Sequence, residues 1–208
     1  MAYDLEEQEQ LDEFKAWWKK NGSKATNLVL AALVAYSAWQ GYQYFQNKKS
    51  IEASTLYQTM LTTDPTKVGE IKAQSAKLME SFDGTPYAGR AAVYVAKASF
   101  AANDRKSAKS QLVWAINNAK ESAVKAIAGL QLAGILFEEK NYDEAYKVLA
   151  AINDKGYEGL KANMQGDVLL AQGKQAEAKK AYATALENLD VQGRLHQYTL
   201  QKFESLGV

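Results

Sequence analysis

The chain has no cysteine, two prolines and a single histidine, and its charges nearly cancel. Without cysteine there can be no disulfide framework, thiolate zinc site or cysteine nucleophile. One histidine, His196, excludes a multi-histidine metal cluster and the two-histidine helix of metalloproteases. A balance of 25 Lys+Arg against 24 Asp+Glu lacks the basic excess of a dedicated nucleic-acid binder. Phosphate-cradling loops are missing as well: the 13 glycines are scattered and none forms G-x-G-x-x-G or precedes Lys-Ser/Thr. His196 lies between polar neighbours, Arg194 and Gln197, and reads as a partly exposed helix residue. The paired acids Glu138-Glu139 and Asp143-Glu144 fall at a turn, where solvation or capping accounts for them. No catalytic constellation, metal, cofactor or small-molecule substrate is expected, and the chain reads as non-enzymatic. What is present is helix former: 34 of the 208 residues are Ala. Ala has the best intrinsic helix propensity and Pro the worst, so the fold class predicted is all-α.

Charge is also missing locally. No charged residue occurs between Lys24 and Lys48, a run of 23 positions. Residues 25–45 would form about 32 Å of helix, enough for a hydrocarbon core of about 30 Å. The sequence therefore predicts an N-terminal transmembrane helix in contact with membrane lipid. Trp17 and Trp18 would mark one membrane interface, and Trp39, Tyr42 and Tyr44 the other. Four lysines before the span (Lys15, Lys19, Lys20, Lys24) against two after it (Lys48, Lys49) place the N-terminus in the cytoplasm. The domain plan is then a cytoplasmic amphipathic tail over 1–24, the span over 25–45 and an extracytoplasmic domain over 46–208. In the tail, Leu5, Leu11, Phe14 and Trp18 share a face, and Asn21-Gly22 is expected to end its helix in a left-handed turn.

From about Gln46 the pattern is helix after helix, and it repeats. Ala96, Ala133 and Gly166 share one register, as do Ala108, Ala145 and Ala178, at steps of 37 and 33 residues. Asn141-Tyr142-Asp143-Glu144-Ala145 and the spacing Ala178, Tyr182, Ala185 resemble the tetratricopeptide repeat, a pair of antiparallel helices. The resemblance implies a right-handed solenoid of helical hairpins. Ser99 and Gln165 depart from it by being polar at usually apolar positions. Upstream, Ser50–Thr63 and Pro65–Phe82 read as a degenerate pair, with Asp64 as N-cap, Pro65 at the first helical position and Gln74 at the small-residue site. Gly193–Leu206 reads as a capping helix over the last apolar face.

Such an array offers a concave surface built by the first helix of each pair. By register it would hold Arg90, Val93, Lys97 and Phe100, then Ile127, Leu130, Gln131 and Phe137, then Asn163, Met164, Asp167 and Leu170. Mixed apolar and polar groups in a groove suit an extended or helical peptide.

The N-terminal block Met1-Ala2-Tyr3-Asp4-Leu5-Glu6-Glu7-Gln8-Glu9-Gln10-Leu11-Asp12, then Phe14-Lys15-Ala16-Trp17-Trp18-Lys19-Lys20-Asn21-Gly22, precedes Ala35-Tyr36-Ser37-Ala38-Trp39-Gln40-Gly41-Tyr42 and the repeats. This arrangement resembles the YfgM-type ancillary subunits of the SecYEG translocon of Gram-negative bacteria. The resemblance implies a bacterial inner-membrane protein, single-pass, with a periplasmic C-terminal domain. It implies as partners the SecYEG translocon and a membrane-anchored periplasmic chaperone of the PpiD type, and a role in handing newly translocated envelope proteins onward. A regulatory scaffold, with the acidic tail holding a stress-response regulator, is the alternative.

Overall fold

The computed structural model describes residues 2–207, with side chains from Glu6 onward. Leu5 and Asp4, which the sequence places on and beside the apolar face of the tail, have side chains outside the described residues, as do Met1 and Val208. Among the described residues there are nine α-helices, one 3₁₀ turn and no strand. They fall into two units, Met1–Lys48 and Lys49–Val208.

The first unit is a stretch of one helix, α1 (Ala2–Thr62). Two expectations are corrected here. The predicted N-terminal transmembrane helix is not found: among the described residues no helix is long and apolar enough to cross a membrane. Length is not what fails, since α1 has 61 residues. The uninterrupted aliphatic run is only Leu28–Ala35, eight residues or about 12 Å of helix, against a core of about 30 Å. Beyond it Tyr and Gln alternate and pair with one another along the surface: Gln40 Nε2 donates to Tyr36 Oη (2.8 Å) and Gln46 Nε2 to Tyr42 Oη (2.9 Å). The aromatic residues expected to bracket the span, Trp17, Trp18, Trp39, Tyr42 and Tyr44, stand exposed along α1. Nor does the helix stop at Asn21-Gly22. Gly22 is helical, and a Cβ there would sit 3.1 Å from the Trp18 indole, so the missing side chain makes room for that ring.

The second unit is a stack of hairpins. The last turns of α1 pack with α2 (Val68–Ser81) and α3 (Pro86–Ala101) through Ala53, Met60, Ile71, Leu78 and Val95, all fully buried. α3 pairs with α4 (Arg105–Asn118), α5 (Ser122–Glu138) with α6 (Tyr142–Ala150), and α7 (Glu158–Ala171) with α8 (Gln175–Asn188). A 3₁₀ turn, Lys155–Tyr157, joins α6 to α7, and α9 (Arg194–Ser205) packs on α8.

Each hairpin repeats the same local chemistry. Ala96 and Ala108, Ala133 and Ala145, and Gly166 and Ala178 are all buried, which lets paired helices approach closely. At Gly166 the approach is extreme, for an added Cβ would lie 2.9 Å from Tyr182 Cζ and closer still to the ring carbons beside it. The three turns inside the hairpins also match. Asn103 (φ 61°), Lys140 (φ 59°) and Gly173 (φ 78°) take the left-handed conformation. The next amide then bonds back to the carbonyl of Ser99, Leu136 or Leu169 at 2.8–2.9 Å, closing the orphan carbonyls of each first helix. Ion pairs tie successive hairpins together: Lys72–Asp104 (2.6 Å), Arg90–Glu121 (2.6 Å), Arg105–Glu138 (2.9 Å) and Lys109–Glu139 (2.6 Å). Partly exposed pairs of this kind contribute under about 1 kcal/mol each, so they set register more than stability.

The upstream pair differs from its expected form. α2 begins at Val68, not Pro65, because Asp64 caps the connecting turn, accepting from Thr66 N (2.8 Å) and Thr66 Oγ1 (2.7 Å). Those bonds favour the charged carboxylate and hold Asp64 below its ordinary pKa. The site matching Ala108 is Ile71 rather than Gln74, and the fully buried set of α2 is Ile71, Ser75 and Leu78. Large and small residues there exchange places relative to Ala108, Leu112 and Ala115 of α4.

Candidate functional site

The first helices of the upstream and first pairs, with α5, leave a groove of about 270 Å³ lined by Tyr57, Arg90, Val93, Tyr94, Lys97, Val124, Ile127 and Gln131. Five of the twelve residues expected on the concave face meet there: Arg90, Val93, Lys97, Ile127 and Gln131. Val93 and Ile127, half-buried, face it from α3 and α5. Tyr57 and Tyr94 supply rigid, amphipathic area at low entropic cost, as anchors in recognition surfaces commonly do. Tyr94 and Lys97 also line a second hollow of about 500 Å³, against Pro65, Val68 and Ile71. One ridge of α3 thus borders two depressions.

The rim is held by charge. The Arg90 guanidinium grips Glu121 with both arms, Nε to Oε2 at 2.8 Å and Nη2 to Oε1 at 2.6 Å, and lies 5.9 Å from the Tyr87 ring. Hydrogen bonding from Arg90 holds the Glu121 carboxyl below its ordinary pKa, and the same bond raises that of Arg90. Burial pushes the Tyr57 phenol up, with Arg90 pulling the other way, so the ring meets the groove as a neutral donor. Lys97 has no ion pair among the described residues and points a free cation at the ridge.

The other seven expected residues lie elsewhere. Leu130 and Met164 are half-buried against the main core. Phe100, Phe137 and Leu170 stand at one register, at the ends of their helices beside the hairpin turns. The Arg105 guanidinium covers Phe100 at 5.0 Å, and Tyr142 lies 5.5 Å from Phe137. Leu170 is exposed.

Asn163 and Asp167 lie under α9. Lys202 Nζ bridges both Asp167 oxygens (2.6 and 2.8 Å), and Tyr182 Oη donates to Asp167 Oδ1 (2.7 Å). The Thr199 hydroxyl, fully buried, sits 2.9 Å from Asn163 Oδ1 and 2.7 Å from the Leu195 carbonyl, its one proton serving one of them at a time. Burial first, and then Asp167, raise the Tyr182 pKa and keep that phenol protonated. α9 therefore plugs the α7 section of the concave face with polar contacts, and its Phe203 and Leu206 pack on Leu169, Ala178 and Tyr182 of the last hairpin. Tyr198 and Leu200, on the same helix, are exposed.

Sequence reasoning passed over Tyr57, Tyr94 and Val124. Tyr94 had a signal, since it stands in register with Gln131 and Met164. Tyr57 holds the same register one 37-residue step before Tyr94, and the signal was missed because the upstream pair was aligned on Gln74 instead of Ile71. Ser99, polar at a usually apolar position, is fully buried, and its hydroxyl has no partner among the described residues. Among the described residues no group of three His, Cys, Asp or Glu side chains is placed to hold a metal ion.

The helical hairpins, their shared turns and the groove define a tetratricopeptide-like protein. The family model described as "Tetratricopeptide repeat-like domain" matches residues 15–208. The chain is 31% identical over 208 residues to the "Ancillary SecYEG translocon subunit" of Neisseria gonorrhoeae, covering 99% of this chain and 100% of that protein. Proteins of the same name from Aggregatibacter actinomycetemcomitans (28%) and Escherichia coli (25%) match over 97% of both chains. The chain belongs to the tetratricopeptide repeat-like family, in the YfgM-type group formed by these relatives.

Proposed function

We propose that the chain is a non-catalytic ancillary subunit of the bacterial SecYEG translocon, associated with the inner membrane through that complex. Its repeat domain holds a partner segment in the groove between α3 and α5. The observation that carries the reading is that groove, with apolar floor, two tyrosines and the free Lys97, in a chain similar end to end to proteins named for the translocon. The size and lining suit two or three side chains of an extended peptide. In the finer form of the proposal the segment belongs to a periplasmic chaperone of the PpiD type or to an emerging client, and the subunit aids handover between them.

The test is photo-cross-linking in cells from benzoylphenylalanine placed at Val93 or Ile127. Adducts recognised by antibodies to SecY or to the chaperone are expected, and they should fade in R90E/K97E. Equal yields of the same adducts from Ser110 and Glu187, exposed on α4 and α8, or no adduct from either groove position, would overturn the reading.

A further inference from the structure

We propose that the space left by the short α6 is a second docking surface, which takes the apolar end of an acidic helix from a partner protein. It does not rest on the function proposed above, and no residue lining it lines the groove.

The register of the repeats shows what is missing. α4 and α8 have 14 residues each, while α6, which starts at the matching position, has nine. In the flanking hairpins the last turn of the second helix covers one position of the first. A Cβ on Gly89 would lie 2.6 Å from Ala119 Cβ, and one on Gly159 would lie 2.9 Å from the Asn188 carbonyl group and Leu189 Cδ2. The matching residue of the middle hairpin is Ala126. There α6 has already ended at Ala150, and Asp154 caps a 3₁₀ turn in place of the last helical turn, accepting from Gly156 N at 2.9 Å. Ala126, itself buried, instead borders a cavity of about 650 Å³, the size of a small ligand or a helical turn, floored by Ile116, Gly129, Val148 and Ile152, with Ala151 at its exposed edge.

Charge selects the occupant. The lining carries three lysines against Glu144 and Asp154: Lys147 is paired with Glu144 (3.6 Å), Asp154 is turned to the Gly156 amide, and Lys125 and Lys155 have no ion pair among the described residues. At the register where α7 has Glu158, α5 has Lys125. Elsewhere in the array this space is filled by the C-terminal turn of a helix with small and aliphatic side chains. A partner turn of that kind, flanked by acids, would restore the covering and meet both cations.

The probe is a capped synthetic peptide of residues 182–190 (Tyr-Ala-Thr-Ala-Leu-Glu-Asn-Leu-Asp), the turn that covers Gly159 in the last hairpin. It is titrated into the full-length chain, with methyl NMR as the readout. Saturable shifts are expected at Ala126, Val148, Ala151 and Ile152, with none at Val93 or Ile127. Affinity should fall about tenfold in K125E/K155E, as two reversed surface charges would give. A151F, which fills the cavity from its exposed edge, should abolish the shifts while the remaining methyl signals keep their positions.

Four outcomes would overturn the proposal: no shifts at the solubility limit of the peptide, equal binding of a peptide with both acids changed to lysine, larger shifts with laurate than with the peptide, or a chain self-association that A151F removes. The third would assign the cavity to a small amphiphile and the fourth to a second copy.

Discussion

Gly166→Ala tests the tightest approach at any glycine among the described residues. In an ordinary helix interior the change stabilises by about 0.5–1 kcal/mol, because glycine loses more backbone freedom on folding. Here the new methyl group would overlap the Tyr182 ring, which is fully buried and fixed through its hydroxyl on Asp167 at 2.7 Å. Overpacking of this kind costs about 1–3 kcal/mol. Swinging the ring aside would break its hydroxyl bond to Asp167, so the upper part of that range applies. The net expectation is a loss of about 1–2 kcal/mol, or a Tm lower by about 2–8 °C for a domain of this size. Gly134→Ala is the control: its Cβ would meet only the flexible tip of Met164 at 3.4 Å, so that variant should hold or gain stability. Thermal unfolding followed by far-UV circular dichroism gives both values. Near-UV circular dichroism should show the Tyr182 environment changed in Gly166→Ala alone. If Gly166→Ala melts at or above the temperature of Gly134→Ala, the close approach of α7 and α8 is wrong.

Two further outcomes are expected. Ser99→Ala removes a buried hydroxyl without a partner and should raise stability by about 1 kcal/mol in urea unfolding, where a loss would show that the hydroxyl is satisfied. Asp104→Asn removes the anion that pairs with Lys72 and accepts from Ser107 N, contacts that hold the Asp104 pKa far below its ordinary value. A depressed folded-state pKa contributes stability above the unfolded value of about 3.9, lost as pH falls through the folded one. The variant should therefore melt below the parent at pH 7 and converge with it towards pH 2. A gap unchanged by pH would refute the electrostatic account.

The repeat was legible because close helix approach demands small residues, and Ala96, Ala108, Ala133, Ala145, Gly166 and Ala178 fall at fixed intervals. The groove was legible at Arg90, Val93, Lys97, Ile127 and Gln131 because residues three and four apart share a face of each first helix, and Arg90 and Ile127 hold one register on successive helices. Asn163 and Asp167 hold equivalent positions, but sequence spacing gives no sign that α9 folds back and engages them with Thr199 and Lys202. The short α6 was also hidden, since Asn153-Asp154-Lys155 can continue a helix locally and only the capping bond from Gly156 shows otherwise. The span over 25–45 failed because absence of charge is a weaker property than apolarity. Thr26, Asn27, Ser37, Gln40 and Gln43 carry no charge and still oppose transfer to hydrocarbon.

The plug formed by α9 gives the array a direction. One end of the concave face is stoppered by Thr199 and Lys202 seated on Asn163 and Asp167, while the groove at the other end is bordered by Tyr57 and by the ridge of Tyr94 and Lys97. A strand lying there can trail beyond one end only. The closed end then sets where along the face such a strand must stop.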